Sequence, residues 1–77
     1  MNGSPWPHIE DLIDSDGTIT VGRVAPIDCA AIASDESTML AALVRNKGES
    51  LLDLLQRLDE AIRMAVEEEH YTDEING

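Results

Sequence analysis

The chain has 77 residues, of which 16 are acidic and 5 basic, and it carries a net charge of −11 at neutral pH. Its 43 % hydrophobic content predicts one small folded domain, and its charge excludes direct nucleic-acid binding through a basic patch. We expect neither a membrane span nor a signal peptide, and the single cysteine favours a reducing, cytoplasmic location.

The first elements of the chain are predicted from its prolines and a short apolar pattern. Pro5 and Pro7 favour an extended N-terminal segment over residues 1–7. Residues 8–13 follow with apolar side chains at helical spacing, so a short helix is expected there. The Asp-Ser-Asp-Gly sequence at 14–17 is typical of a turn that ends such a helix.

Three strands are predicted in the middle of the chain. Residues 18–24 alternate β-branched side chains, and 27–34 form a second apolar run after Pro26. Residues 38–45 allow two interpretations, a helix or the second strand of a hairpin with 27–34. We favour the hairpin, because a lone strand at 18–24 would otherwise have nothing to pair with.

A long amphipathic helix is predicted to begin after Ser50, which has the side chain of a helix N-cap. Apolar residues recur at alternating spacings of four and three over roughly 18–20 residues, which gives one apolar face. Asp53 with Arg57 and Asp59 with Arg63 stand at the spacing of ion pairs on the helix surface. Residues 70–77 are expected to form a flexible acidic tail.

The sequence predicts no catalytic, cofactor-binding or metal-binding residue. Residues 14–20 are similar to the middle of an EF-hand calcium loop, but Leu12 and Arg23 stand where its first and last ligands are required. Cys29 has apolar neighbours, which is typical of a buried structural thiol. The paired acids lie in turns and at termini, where a solvated surface is the expected role.

These elements predict an α+β domain, in which a short antiparallel sheet of about three strands is covered by one C-terminal helix and preceded by a helical turn. In fold alone, this order resembles small β-then-helix antitoxin modules. Alanine-rich strands present little area, so we expect part of the helix face to be free, and we expect dimerisation through this face or through a sheet edge. The predicted interface consists of Leu51, Leu54, Leu55, Leu58, Ile62 and Ala65.

The leading functional hypothesis is a non-enzymatic interaction module, such as an adaptor, an antitoxin-like inhibitor or a regulatory protein. It would act as a homodimer and be steered by its charge toward a basic protein partner. The alternative is a mimic of nucleic acid that occupies a basic nucleic-acid-binding protein through its carboxylates. A small enzyme is the third hypothesis.

Overall fold

The structure, a computed structural model, describes residues 5–76. Its elements are α1 (Pro7–Asp14), β1 (Thr18–Val24), β2 (Ile27–Ser34), β3 (Met39–Val44), α2 (Leu51–Glu68) and β4 (Thr72–Asp73). The predicted α+β class is confirmed, and the strands form one sheet in the order β1-β2-β3-β4. The expected count of about three antiparallel strands omitted β4, which pairs in parallel with β3 and makes the sheet mixed.

The first three strands form the predicted antiparallel meander. Ile19 lies opposite Ala33, and Ala33 lies opposite Ala41 in turn. The β1–β2 connection is a tight turn at Ala25–Pro26, whose peptide bond is cis. The hairpin interpretation of residues 38–45 is confirmed. Pairing on both sides of β3 outweighs the helix propensity of its leucine and alanine residues, because propensity is weaker than tertiary context.

Both helices pack on one face of the sheet. Leu54, Leu58 and Ile62 of α2 are buried against alanines of β2 and β3 that have no exposed surface. The small alanine side chains let the helix backbone approach the sheet closely, so the large side chains of α2 fill the space between them. Burying each such side chain contributes about 1.5–3 kcal/mol.

Helix α1 is held by a carboxylate from α2. The backbone N–H groups of His8 and Ile9 each donate a hydrogen bond of 2.8 Å to Oδ1 of Asp59. These N–H groups belong to the first turn of α1 and have no acceptor within the helix. Asp59 therefore caps α1 and fixes it beside α2, whereas the sequence predicted an ion pair between Asp59 and Arg63. Of the predicted extended segment, residues 1–4 lie outside the described part of the chain.

The predicted N-cap of α2 is present, because Ser50 Oγ accepts a hydrogen bond of 3.0 Å from the Asp53 N–H. The helix covers 18 residues and ends at Glu68, and the capping residue Glu69 has a left-handed φ of 55°. The next N–H, that of His70, donates to the carbonyl of Met64 over 3.0 Å. This satisfies a terminal carbonyl group of the helix and turns the chain back toward the sheet.

Arg57 of α2 joins the helix to the segment that precedes it and to the edge of the sheet. Arg57 donates two hydrogen bonds to the carboxylate of Glu49, at 2.7 and 2.9 Å, and one of 2.9 Å to the Val44 carbonyl. It also contacts Glu74 at 3.1 Å. The predicted pair of Arg57 with Asp53 is therefore replaced by partners outside the helix. Arg63 does not pair with Asp59 and instead pairs with three other acids of its own helix, Glu60, Glu67 and Glu68.

The segment predicted to be a flexible tail follows the edge of the sheet. Thr72 and Asp73 pair with Ala41 and Ala42 of β3. The Glu74 N–H donates to the Ala42 carbonyl at 2.7 Å, and the Glu74 carboxylate accepts from the Val44 N–H at 2.9 Å. Residues 72–74 are therefore a part of the fold, and Gly77 lies outside the described residues.

The Arg57–Glu49 pair predicts a specific pH dependence of stability. Hydrogen bonds from Arg57 and from the Asn46 N–H lower the pKa of the Glu49 carboxyl from 4.5 to about 2. A depressed folded-state pKa contributes stability above the unfolded value, and this contribution is lost as the pH falls from about 4.5 toward 2. We expect the free energy of unfolding to be larger for wild type than for Glu49→Gln at pH 6. This difference should become smaller by pH 3. Urea unfolding measures it, and a difference independent of pH would contradict the role of this pair.

Candidate partner-binding groove

Most of the predicted interface residues lie inside the domain. Leu54, Leu58, Ile62 and Ala65 are buried against the protein's own sheet, and Leu55 is half-buried beside them. Of the predicted set, only Leu51 is substantially exposed. Four of the six side chains therefore offer no surface to a second molecule in the folded chain.

A groove opens instead between α1 and the C-terminal half of α2. Its volume is about 420 Å³, at the low end of the range found for ligand pockets. Apolar side chains from both helices and from β3 form its floor, which consists of Leu12, Leu40, Ile62 and Ala65, with Val66 beside them. Polar side chains line its sides: His8, Asp11, Ser15, Asp35, Glu69 and Tyr71.

Three carboxylates give the groove its charge, and we call Asp11, Asp35 and Glu69 the acidic rim. Within residues 5–76, no lysine or arginine forms an ion pair with any of them. Arg57 and Arg63, the two arginines of α2, are each paired with other acids. The acidic rim is therefore a region of negative charge that the described part of the protein does not neutralise.

The fold fixes the backbone position of each residue of the acidic rim, and hydrogen bonds also hold the carboxylate of Asp35. Oδ1 of Asp35 accepts from the N–H groups of Ser37 and Thr38, at 2.9 and 2.7 Å, in the turn between β2 and β3. Asp11 lies on α1, whose position is fixed by the Asp59 cap. Glu69 is the capping residue that follows α2, and its backbone is left-handed. Three separate backbone features thus place the acids around one apolar floor.

Backbone geometry fixes the turn that follows Ser15, the residue at the end of α1 that lines the groove. Asp16 has a φ of 70°, and the Gly17 N–H donates to the Leu12 carbonyl at 2.8 Å. A Cβ at position 17 would collide with the Leu12 side chain, so glycine is required there. The acids of the EF-hand-like sequence therefore lie in a tight helix-to-strand turn.

The other side chains that could act as nucleophiles or metal ligands are dispersed. Cys29 is half-buried against the hydrophobic core. In the described range 5–76, no group of three His, Cys, Asp or Glu side chains is close enough to hold a metal ion. Over the same range, no helix is long and apolar enough to cross a bilayer. No hydrogen bond links His8, Asp11 and Ser15 through their side chains within the described residues.

Comparisons with family models, with curated proteins and with solved structures found no match, so the functional argument rests on the geometry of the groove.

Sequence reasoning missed the groove because its residues come from five separate segments. One signal was available: the apolar residues of 8–13 and of the long helix imply that two helices share a face of the sheet. Their spacing depends on Asp59 contacting α1 about 50 residues away, and no local pattern encodes that contact.

Proposed function

We propose that this protein is a non-enzymatic interaction module that works as a homodimer and binds a basic segment of a partner protein in the groove. The observation that carries the proposal is the combination of an apolar floor with an acidic rim that no lysine or arginine of residues 5–76 neutralises. Lysine and arginine side chains have an apolar stem and a cationic head, so they match both parts of such a site. The net charge of −11 adds long-range attraction toward a basic partner.

Within the groove, the cationic group would lie nearest the rim. A guanidinium or ammonium group beside Asp11 and Glu69 gains charge-assisted hydrogen bonds, and the Tyr71 hydroxyl offers a further acceptor. The stem of the side chain would cover Leu12 and Ile62, which removes apolar area from water. The binding energy is therefore shared between charge and apolar contact, and only the first part is screened by salt.

The nucleic-acid mimic receives less support from the distribution of charge. A mimic needs a row of free carboxylates that stand in for phosphates. On α2, Arg63 lies among Glu60, Glu67 and Glu68, which partly neutralises the longest run of acids on the helix. The groove acids, which form no ion pair with any described lysine or arginine, surround a pocket instead of following a line.

A short synthetic peptide of alternating arginine and leucine residues tests the groove. We expect saturable binding that weakens with salt and shifts the amide NMR signals of groove residues. The double variant Asp11→Asn/Glu69→Gln should bind roughly tenfold more weakly, because two rim charges are lost. Glu10→Gln/Glu36→Gln removes two exposed charges outside the groove and should bind like wild type. Equal weakening in both variants, or shifts spread over the whole acidic surface, would overturn the proposed site.

A further inference from the structure

Strand β1 is an unprotected edge of the sheet. It is the outermost strand, so one row of its N–H and C=O groups has no sheet partner among residues 5–76. Natural edge strands are commonly short, or are blunted by proline, lysine or an inward-pointing charge. The opposite edge, β4, has two residues, whereas β1 has seven and contains no proline. Its single charge, Arg23, stands near its end.

Exposed apolar side chains flank this edge. Ile19 packs against the core, so Val21, two residues further along the strand, faces the same side. Val21 is nevertheless 39 % exposed, and Ile13 of α1 is 52 % exposed. His8 and Ser15 mark the flank of α1 that faces the groove, and Ile13 lies roughly 140° around the helix from His8. Ile13 is therefore on the flank that faces away from α2, on the β1 side.

We propose that β1 pairs in antiparallel fashion with β1 of a second copy, so that two sheets join into one of eight strands. This inference rests on the homodimer of the proposed function and names its interface. Two identical edges pair in this way around a twofold axis perpendicular to the sheet, and the helices of both copies then lie on one side. Residues opposite each other point to the same face of the sheet, so Ile19 and Val21 must pair with residues on the helix side.

The β1 strand itself selects the register. Its pairing with β2 keeps one register from Thr18 to Gly22 and shifts before Val24, where β2 has one extra residue. The part in one register therefore ends at Gly22, whose φ is 140°. The midpoint of that part is Thr20, which places Thr20 opposite its own equivalent on the twofold axis. Ile19 then lies opposite Val21 of the second copy, and this aliphatic pair occurs twice. Threonine pairs and β-branched pairs are favourable cross-strand neighbours.

Charge complementarity supports a second copy as the occupant of this edge. Where the same register continues past Gly22, Arg23 comes opposite Gly17 of the other chain and next to Asp16 of that chain. Arg23 has one distant partner in its own chain, Asp28 at 3.9 Å, and its side chain is 71 % exposed. Arg23 is the single cation of β1, and antiparallel pairing brings it toward Asp16 of the other chain twice. Over the rest of the surface, the charge of −11 on each copy opposes association.

A cysteine at the twofold axis tests the register. Thr20→Cys in a Cys29→Ser background is expected to form a covalent dimer under mild oxidation, because directly opposite residues lie within disulfide range. Thr18→Cys in the same background is the matched control. Thr18 is exposed on the same strand and the same face, but the register separates the two copies of it by roughly 13 Å. Equally rapid crosslinking at position 18 would overturn the register.

Association without a crosslink separates this inference from the proposed function. Sedimentation equilibrium should give twice 8.4 kDa for wild type. Val21→Lys should weaken self-association by roughly tenfold, with unchanged circular dichroism, because each copy places a charge opposite Ile19. A dimer that neither crosslinks at Thr20 nor responds to Val21→Lys would overturn the edge interface and leave the homodimer standing. A monomer at all concentrations would overturn both the edge interface and the homodimer. The β1 edge would then be available to a strand from another protein.

Discussion

Replacing Leu58 by alanine is expected to lower the free energy of unfolding by about 2–5 kcal/mol. Leu58 has no exposed surface and lies at the centre of the contact between α2 and the sheet. Its replacement removes apolar contact and leaves a cavity that rigid alanine strands cannot fill. Small domains have total stabilities of about 5–15 kcal/mol, so a loss of this size removes a large fraction of the total.

Leu52→Ala is the matched control, because it makes the same change in the same helix at a side chain that is 56 % exposed. We expect it to change the unfolding free energy by no more than about 0.5 kcal/mol. Urea unfolding followed by circular dichroism measures both variants. Similar losses of unfolding free energy at positions 52 and 58 would contradict the burial of Leu58 against the sheet.

Removing residues 72–77 is expected to lower the melting temperature by roughly 5–15 °C. The truncation removes the pairing of β4 with β3, the Glu74 N–H bond to Ala42, and both contacts of the Glu74 carboxylate with Val44 and Arg57. Each hydrogen bond contributes about 0.5–1.5 kcal/mol, which is partly offset by the ordering of the segment. For a domain of this size, each kcal/mol shifts the melting temperature by about 4–8 °C.

Two further variants assign the origin of that decrease. Glu74→Gln keeps the backbone pairing of the tail and removes its charge, so it should lower the melting temperature by less than the truncation does. Glu36→Gln removes the same charge from an exposed loop and should leave the melting temperature unchanged. If the truncated protein has the same melting temperature as the full chain, residues 72–77 behave as the flexible tail that the sequence predicted.

Local patterns were sufficient to predict the elements that have strong periodicity. The leucine spacing and the Ser50 cap predicted α2 closely, and β-branched alternation predicted β1. The strand β4 has two residues and no pattern, so its pairing with β3 depends on the tertiary structure. The partners of the acids could not be predicted locally either. Asp59 and Glu74 have charged neighbours close in sequence, but they contact backbone groups that are distant in sequence.

The structure buries most of the predicted interface of α2 against its own sheet, for a physical reason. The apolar stripe of an amphipathic helix looks the same whether its own sheet or a second molecule covers it. Alanines in β2 and β3 suggested too little area to cover Leu54 and Leu58, and this predicted a dimer interface on α2. Small side chains instead bring the helix nearer, so those leucines reach the sheet and are fully buried.

The short strand β4 also has a consequence for aggregation. The segment 39–44 is a run of six apolar residues without charge or proline, which is the composition of segments that stack into cross-β fibrils. Its outer edge is covered by β4, whose Asp73 and the adjacent Glu74 add negative charge beside it. Residues 73 and 74 therefore protect β3 from pairing with other molecules. Proteolytic loss of them would expose an apolar strand edge that can add further strands, in an otherwise highly charged protein.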